Sequence, residues 1–331
     1  MNLLLTLKCN RSCKFCFQKS IVTDPQMPDF IPIDNVKKVI EFLKASQMDS
    51  IDLLGGEPTL HPEIIPIMEL LKGEGFNITL ITNGLYQPNL REALSKHIQK
   101  FLINYDNPSE YSKTQLERLN ANISAIDNSV REIKQPDGRS TLFTPISLAV
   151  TFYKPDQEYM YLFDAAERFG VKSIRFDLAR PSALRSNNFV PFERISEFKH
   201  LIISFLKEAV TRCIHAYIDC SLPPCIFNKE ELFFLTSWLP QFRTICSGPI
   251  DILPDLSVWF CSSLSNAWEA PKLTEFKNKK ELFDHFWRVG IKKLRSTPPQ
   301  EDCLSCKLFL AYCQGYCLGD RLDKRKVDTL P

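Results

Sequence analysis

Three cysteines, Cys9, Cys13 and Cys16, fall within eight residues in the stretch "LTLKCNRSCKFCFQKS". Thiolates are soft ligands that suit zinc, copper(I) and iron–sulfur clusters. Structural zinc takes four closed ligands, and a four-iron cluster is most often held by four cysteines. A compact loop that supplies three thiolates therefore leaves one iron with an open position. A catalytic site needs such an opening, whereas a structural site avoids it. On spacing alone the alternative is a zinc site completed by a distant residue. The chain has twelve cysteines. None lies between Cys16 and Cys213, a looser set follows (Cys213, Cys220, Cys225, Cys246, Cys261), and "CLSCKLFLAYCQGYC" adds Cys303, Cys306, Cys313 and Cys317. In a reducing compartment, thiols crowded in this way point to metal or redox chemistry rather than disulfides.

Other polar groups gather behind apolar runs. Gly55-Gly56-Glu57-Pro58 follows "SIDLL". Two glycines there let the backbone approach a ligand closely, and a carboxylate such as Glu57 accepts hydrogen bonds from an ammonium. Thr82-Asn83-Gly84 ends the next apolar run. Asn-Gly is also a hairpin signal, but a helical pattern follows it. Tyr105 and Asp106, and Arg175 and Asp177, lie at or near further strand ends. Arg175 and Asp177 alternate with Ile174 and Phe176 and so share one face; they read as a substrate-binding or proton-relaying pair, or as an ion pair lining the sheet. The five histidines, His61, His97, His200, His215 and His285, have no metal spacing and read as surface or capping residues. Cys213, on a helical stretch, reads as a small buried hydrophobe.

These groups need a scaffold, and the first half of the chain supplies an alternating one. "NLLLTLK" reads as a strand. "IDNVKKVIEFLKASQ" places Val36, Val39, Ile40 and Leu43 at helical spacing. Six such β/α steps fill about 180 residues, with "KTQLERLNANISAIDNSVREI" as one long helix. Alternation of this kind implies parallel strands with crossover helices, in an open sheet or partial barrel, with chemistry at the carboxyl ends of the strands. The organisation expected is a barrel over residues 1–190, a bridging helix and linker with Cys220 and Cys225 over 191–245, and a cysteine-rich domain over 246–331. The charged tail "GDRLDKRKVDTLP" reads as a solvated end. A net charge of +2 over 331 residues gives no sign of nucleic-acid or membrane-surface binding. "NLLLTL" is too short to span a bilayer and lacks the flanks of a signal peptide, so a cytoplasmic chain is expected.

The C-x3-C-x2-C loop, with the aromatic Phe15 before its last cysteine, resembles the radical S-adenosylmethionine enzymes. The resemblance implies a partial (β/α)6 TIM-like barrel of α/β class. It also implies a 4Fe–4S cluster on Cys9, Cys13 and Cys16 whose fourth iron is chelated by the methionine amine and carboxylate of S-adenosylmethionine. One electron then splits the sulfonium, and the 5′-deoxyadenosyl radical takes a hydrogen atom from the substrate. In the family the aromatic residue packs near the adenine, and "GGE" holds the amine, which implies roles for Phe15, Gly55, Gly56, Glu57 and Pro58. Thr82 and Asn83 match the segment near the methionine and ribose. Arg118, in the helix after "YDNP", is a candidate partner for the cosubstrate's carboxylate. Tyr105, Asp106, Arg175 and Asp177 are the candidate catalytic residues on the substrate side.

The C-terminal cysteines resemble a SPASM domain, the extension of these enzymes that binds two auxiliary 4Fe–4S clusters. A zinc knuckle is the rival reading. Three features depart from the family pattern. Leu256 stands where a glycine is usual, the Cys306–Cys313 spacing is one residue longer, and the final cysteine is absent. With Cys220 and Cys225 counted, eight thiols remain for two clusters. Cys246, Cys261 and Cys317 are expected on an inner cluster with one upstream cysteine, and Cys303, Cys306 and Cys313 on an outer one. The second upstream cysteine either completes the outer cluster or leaves it open, and a single auxiliary cluster is the other possibility. The resemblance implies oxidation or crosslinking of a peptide or protein side chain, with an electron donor such as flavodoxin or ferredoxin. With eight residues before Cys9, no N-terminal peptide-binding module is expected. The alternatives are a small-molecule substrate, or a non-catalytic iron–sulfur or zinc scaffold.

Overall fold

A computed structural model describes residues 1–18, 27–134, 140–239 and 241–324. Strand β1 (Asn2–Thr6) opens the chain, and Leu3, Leu4 and Leu5 are fully buried. An unbroken apolar strand of this sort belongs inside a parallel sheet. Its neighbour β2 (Ser50–Gly55) is followed by β3 (Asn77–Thr82), β4 (Lys100–Asn104), β5 (Arg131–Lys134), β6 (Ser140–Phe143), β7 (Ile146–Phe152), β8 (Ser173–Leu178), β9 (His215–Tyr217), β10 (Asp251–Ile252) and β11 (Val258–Trp259). The main sheet runs β11-β10-β1-β2-β3-β4-β7-β8-β9, parallel from β10 to β9 and antiparallel only at β10–β11. Strands β5 and β6 pair separately.

Helices α1 (Ile33–Ala45), α2 (Ile64–Gly73), α3 (Arg91–His97), α4 (Lys113–Ser124), α5 (Met160–Arg168) and α6 (Lys199–Thr211) follow β1, β2, β3, β4, β7 and β8 in turn. The six β/α steps expected from the sequence are therefore present. Helix α1 buries Val36, Val39, Ile40, Phe42 and Leu43, one stripe at three- and four-residue spacing. Helix α4 starts at a capping box in which Ser112 and Gln115 satisfy each other's backbone N–H groups. Helices α7 (Lys229–Trp238), α8 (Lys279–Phe286) and α9 (Lys292–Ser296) complete the set. Among the described residues no helix is long and apolar enough to cross a membrane.

Several expectations change. The long helix after "YDNP" ends at Ser124, and Arg131–Lys134 is strand β5. The sheet does not stop near residue 190, because α6 leads into a seventh parallel strand, β9, beside β8. Nor is the C-terminal region a separate appendage. Strand β10 pairs with β1, and Asn2 donates to Asp251 Oδ1 at 2.7 Å. Asp251, 1% exposed, also accepts the backbone N–H and hydroxyl of Ser262 at 2.8 and 2.6 Å, which pins the residue after Cys261 to the barrel's first strand. Cys213 is exposed rather than buried, since it sits just past the end of α6 in the left-handed conformation (φ 53°). The start of the charged tail is not solvated. Asp320 accepts from Arg185 and from the Phe192 N–H, and Arg321 donates to the last carbonyls of α9 at Leu294 and Thr297. Residues 325–331 of that tail lie outside the described residues.

Candidate active site

Parallel strands bring their carboxyl ends to one rim. The cysteine loop follows β1, "GGEP" follows β2, "TNG" closes β3, Asp106 follows β4, Tyr153 follows β7, Arg180 follows β8 and Cys220 follows β9.

In the loop, the Cys16 N–H donates to the Cys13 carbonyl at 3.2 Å. Cys9, Cys13 and Cys16 lie within electrostatic reach of one another. Burial, reinforced by neighbouring Asp106 and the other two thiols, pushes Cys13 up to about 12, and Arg11 opposes the shift. The protein alone thus favours the protonated thiol, and a metal bound there would favour the thiolate. The loop is held on both flanks. Asn83 donates to Asn10 Oδ1 at 2.7 Å and lies 4.0 Å from Cys9 Sγ. On the other side Asn187 donates to the Phe15 carbonyl at 3.0 Å and to the Arg180 carbonyl at 2.7 Å, and the Asn188 N–H donates to the Lys14 carbonyl at 2.8 Å.

The glycines do close-packing work. Gly56 N–H donates to the Thr6 carbonyl at 2.8 Å and Glu57 N–H to the Lys8 carbonyl at 2.7 Å. A Cβ on Gly55 (φ 153°) would meet Thr6 O at 2.3 Å, and one on Gly56 would meet Lys8 O at 2.2 Å. Only glycine lets the end of β2 run this close to the root of the cysteine loop. Glu57 behaves differently from the expectation of an amine-binding carboxylate. It is fully buried, and its Oε1 accepts from Thr59 N–H (3.3 Å), Thr59 Oγ1 (2.6 Å) and Thr82 Oγ1 (2.7 Å), while Oε2 accepts from Asn83 N–H (2.8 Å). Burial pushes its pKa up, and these donors pull it back. Glu57 is a clasp joining the ends of β2 and β3, and Thr82 is part of that clasp. Pro58 starts a short 3-10 turn directly after it.

A cavity of 240 Å³ opens beside the loop, lined in part by Arg11, Cys13, Phe15, Asp106, Tyr153 and Tyr161. Phe15 and Tyr153 face each other with ring centroids 5.8 Å apart and planes tilted by 31°. Asp106 receives Arg11 at 2.5 Å, and Arg11 also donates to the Tyr111 hydroxyl at 3.0 Å while lying over its ring. Tyr105 turns away from this cavity and donates to Asn120 on α4 at 3.1 Å. Arg118, half-buried on α4, is not among the residues lining it. Arg11 and Tyr153 were not singled out from the sequence, since no motif marks them.

Across the rim, Arg175 pairs with Asp177 at 3.2 Å and with Asp219 at 3.1 Å. Asp177 accepts the Cys220 N–H at 3.3 Å. The pair is thus a strut under the C-terminal cysteines. Those cysteines sort into two sets. Cys220 lies within electrostatic reach of Cys246 and Cys317, and Cys261 of the same two. Cys225 lies within electrostatic reach of Cys303 and Cys306, and Cys313 within reach of all three. Leu256 explains one departure from the family pattern. It occupies the turn between β10 and β11 at φ 66°, a conformation in which glycine is free of strain. Among the described residues no three His, Cys, Asp or Glu side chains converge tightly enough for a single metal ion.

Residues 3–142 match the family model described as the radical SAM superfamily. Over 96% of this chain and 67% of its own length, the radical SAM cyclopropyl synthase TigE of Paramaledivibacter caminithermalis is 23% identical. The curated relatives of 35–37% identity align over 78–91 residues, only 26–34% of their own length. Among solved structures, SuiB of Streptococcus suis bound to its precursor peptide SuiA superposes with a TM-score of 0.65 at 13% identity, covering 98% of this chain and 73% of that one. The structure titled "Native anSMEcpe with bound AdoMet" gives 0.65 at 18% identity, covering 96% and 89%. The fold likeness therefore runs through the cysteine-rich C-terminal region as well as the barrel.

Proposed function

The chain carries a radical S-adenosylmethionine domain over residues 3–142, and from that premise we propose that it abstracts a hydrogen atom from a peptide or protein side chain, leading to oxidation or crosslinking. The observation that carries this reading is the grouping of the thiols, three in the β1 loop and eight more in two sets of four. Cys9, Cys13 and Cys16 would hold a 4Fe–4S cluster with one iron open. Cys220, Cys246, Cys261 and Cys317 would hold an inner auxiliary cluster, with Cys225, Cys303, Cys306 and Cys313 on an outer one. When bound, the first cluster supplies an electron that splits S-adenosylmethionine into methionine and the 5′-deoxyadenosyl radical.

The protein's own part is placement. Asn83 and Asn187 fix the loop from two sides, and Glu57 locks the strand end carrying Asn83. Phe15 and Tyr153 offer aromatic walls for the adenine. The Arg11–Asp106 pair lines the cavity beside Cys13 and fixes its polar side. Asp177 holds the Cys220 backbone, and so one member of the inner set, against β8. Loaded with a cluster, the inner set would supply a one-electron acceptor for a substrate radical, and a cluster on the outer set would supply a relay to a flavodoxin- or ferredoxin-like partner.

A peptide is favoured over a small molecule because 96–98% of this chain shares its fold with SuiB, solved with a precursor peptide, and with anSMEcpe, solved with the Kp18Cys peptide. Anaerobically reconstituted protein is expected to form 5′-deoxyadenosine faster with a cognate peptide, and deuterium at the reacting side chain is expected in that product. Peptide libraries that leave the rate unchanged, while a small metabolite raises it, would overturn the peptide assignment.

A further inference from the structure

Arg180 follows β8 and is 7% exposed. Its NH2 group donates to the Ser221 carbonyl at 3.2 Å, and its guanidinium lies 4.0 Å over the ring of Tyr316. Those two residues adjoin Cys220 and Cys317. Two further donors, Nε and NH1, are buried with no hydrogen-bond partner among the described residues, and the Tyr316 hydroxyl beside them is unpartnered too. No carboxylate among the described residues forms a salt bridge with Arg180; the nearby Asp177 is engaged by Arg175. A guanidinium buried in this way is costly unless an anion faces it. The thiols of Cys220 and Cys317 are among its electrostatic neighbours. A cluster held by four thiolates carries a net charge of roughly −2 and roughly −3 once reduced by one electron.

We propose that Arg180 is a positioning residue for the inner cluster, whose unpartnered N–H groups face the cluster and whose charge raises its reduction potential. The proposal rests on the reading above that Cys220, Cys246, Cys261 and Cys317 hold that cluster. A nearby cation stabilises the more negative, reduced form more than the oxidised one, so its removal makes reduction harder. Lysine keeps the charge and loses the planar fork of donors, and methionine loses both.

The test is an anaerobic redox titration of the full chain, followed by electron paramagnetic resonance, for wild type, Arg180→Met and Arg180→Lys. The expected result is a negative shift of the inner-cluster midpoint in Arg180→Met, a smaller one in Arg180→Lys, and unchanged midpoints for the other two clusters. Loss of the inner cluster in Arg180→Met, with retention in Arg180→Lys, equally supports charge compensation. Unchanged midpoints in both variants overturn the proposal. So does loss of the inner cluster in both, because a retained charge would then do nothing. If the wild type binds no iron at the inner set, the cluster reading itself fails, a result distinct from any of these.

Discussion

A Cys13→Ala variant, kept free of oxygen and given reductant and S-adenosylmethionine, is expected to form no 5′-deoxyadenosine above the enzyme-free background. Its iron content should fall from about twelve to about eight atoms per chain, the loss of one four-iron cluster. Cys13 sits on a loop fixed chiefly by Asn83, Asn187 and backbone contacts, and its side chain is only partly buried. Removing its sulfur leaves the leucine strand and the helices untouched, so circular dichroism and the auxiliary-cluster signals should persist. The variant thus separates chemistry from folding. Equal product from variant and wild type would mean that the β1 loop does not generate the radical.

Glu57→Ala should be the most damaging single change outside the cysteines. It leaves four donors, from Thr59, Thr82 and Asn83, without their acceptor in a fully buried position. Unmade buried hydrogen bonds cost about 1–3 kcal/mol each and do not add fully, so a loss of about 3–5 kcal/mol is expected. At about 2.1 cal/mol/K per residue, that corresponds to a fall of about 4–7 °C in melting temperature for a chain of 331 residues. Because Asn83 also holds Asn10, the cysteine loop should loosen, and the first cluster should be lost before the auxiliary ones. Glu57→Gln keeps the shape but turns an N–H₂ toward donors on one side, so about half the loss is expected. If Glu57→Ala melted like the wild type and lost only affinity for S-adenosylmethionine, the carboxylate would be a ligand to the cosubstrate and not a clasp.

What could be read in the sequence was whatever is written locally. The three-cysteine spacing, the glycine pair after a strand and the β/α alternation are each set within a few tens of residues, and the structure has them where expected. Contacts between distant segments were not legible. The role of Glu57 depends on donors up to 26 residues away. The tie from Asn187 to Phe15 spans 172 residues, and that from Asn2 to Asp251 spans 249. Asp320 and Arg321 read as tail charges because nothing nearby reveals that Arg185 and the end of α9 need them. The two cysteines of "DCSLPPC" stand five residues apart, and no spacing rule says that Cys220 turns to one set and Cys225 to the other. The helix predicted through residue 133 ends at Ser124 although Ile123, Ile126, Val130 and Ile133 keep helical spacing, because residues 131–134 pair with β6 instead.

The central claim is that the β1 loop leaves one iron open and that S-adenosylmethionine docks there. Electron–nuclear double resonance on the reduced protein tests it most directly, with the cosubstrate labelled by nitrogen-15 at the methionine amine and oxygen-17 at the carboxylate. Strong hyperfine coupling from both labels is expected in the wild type, and none in Cys13→Ala. A reduced wild-type cluster whose spectrum shows no coupling to either label would contradict it.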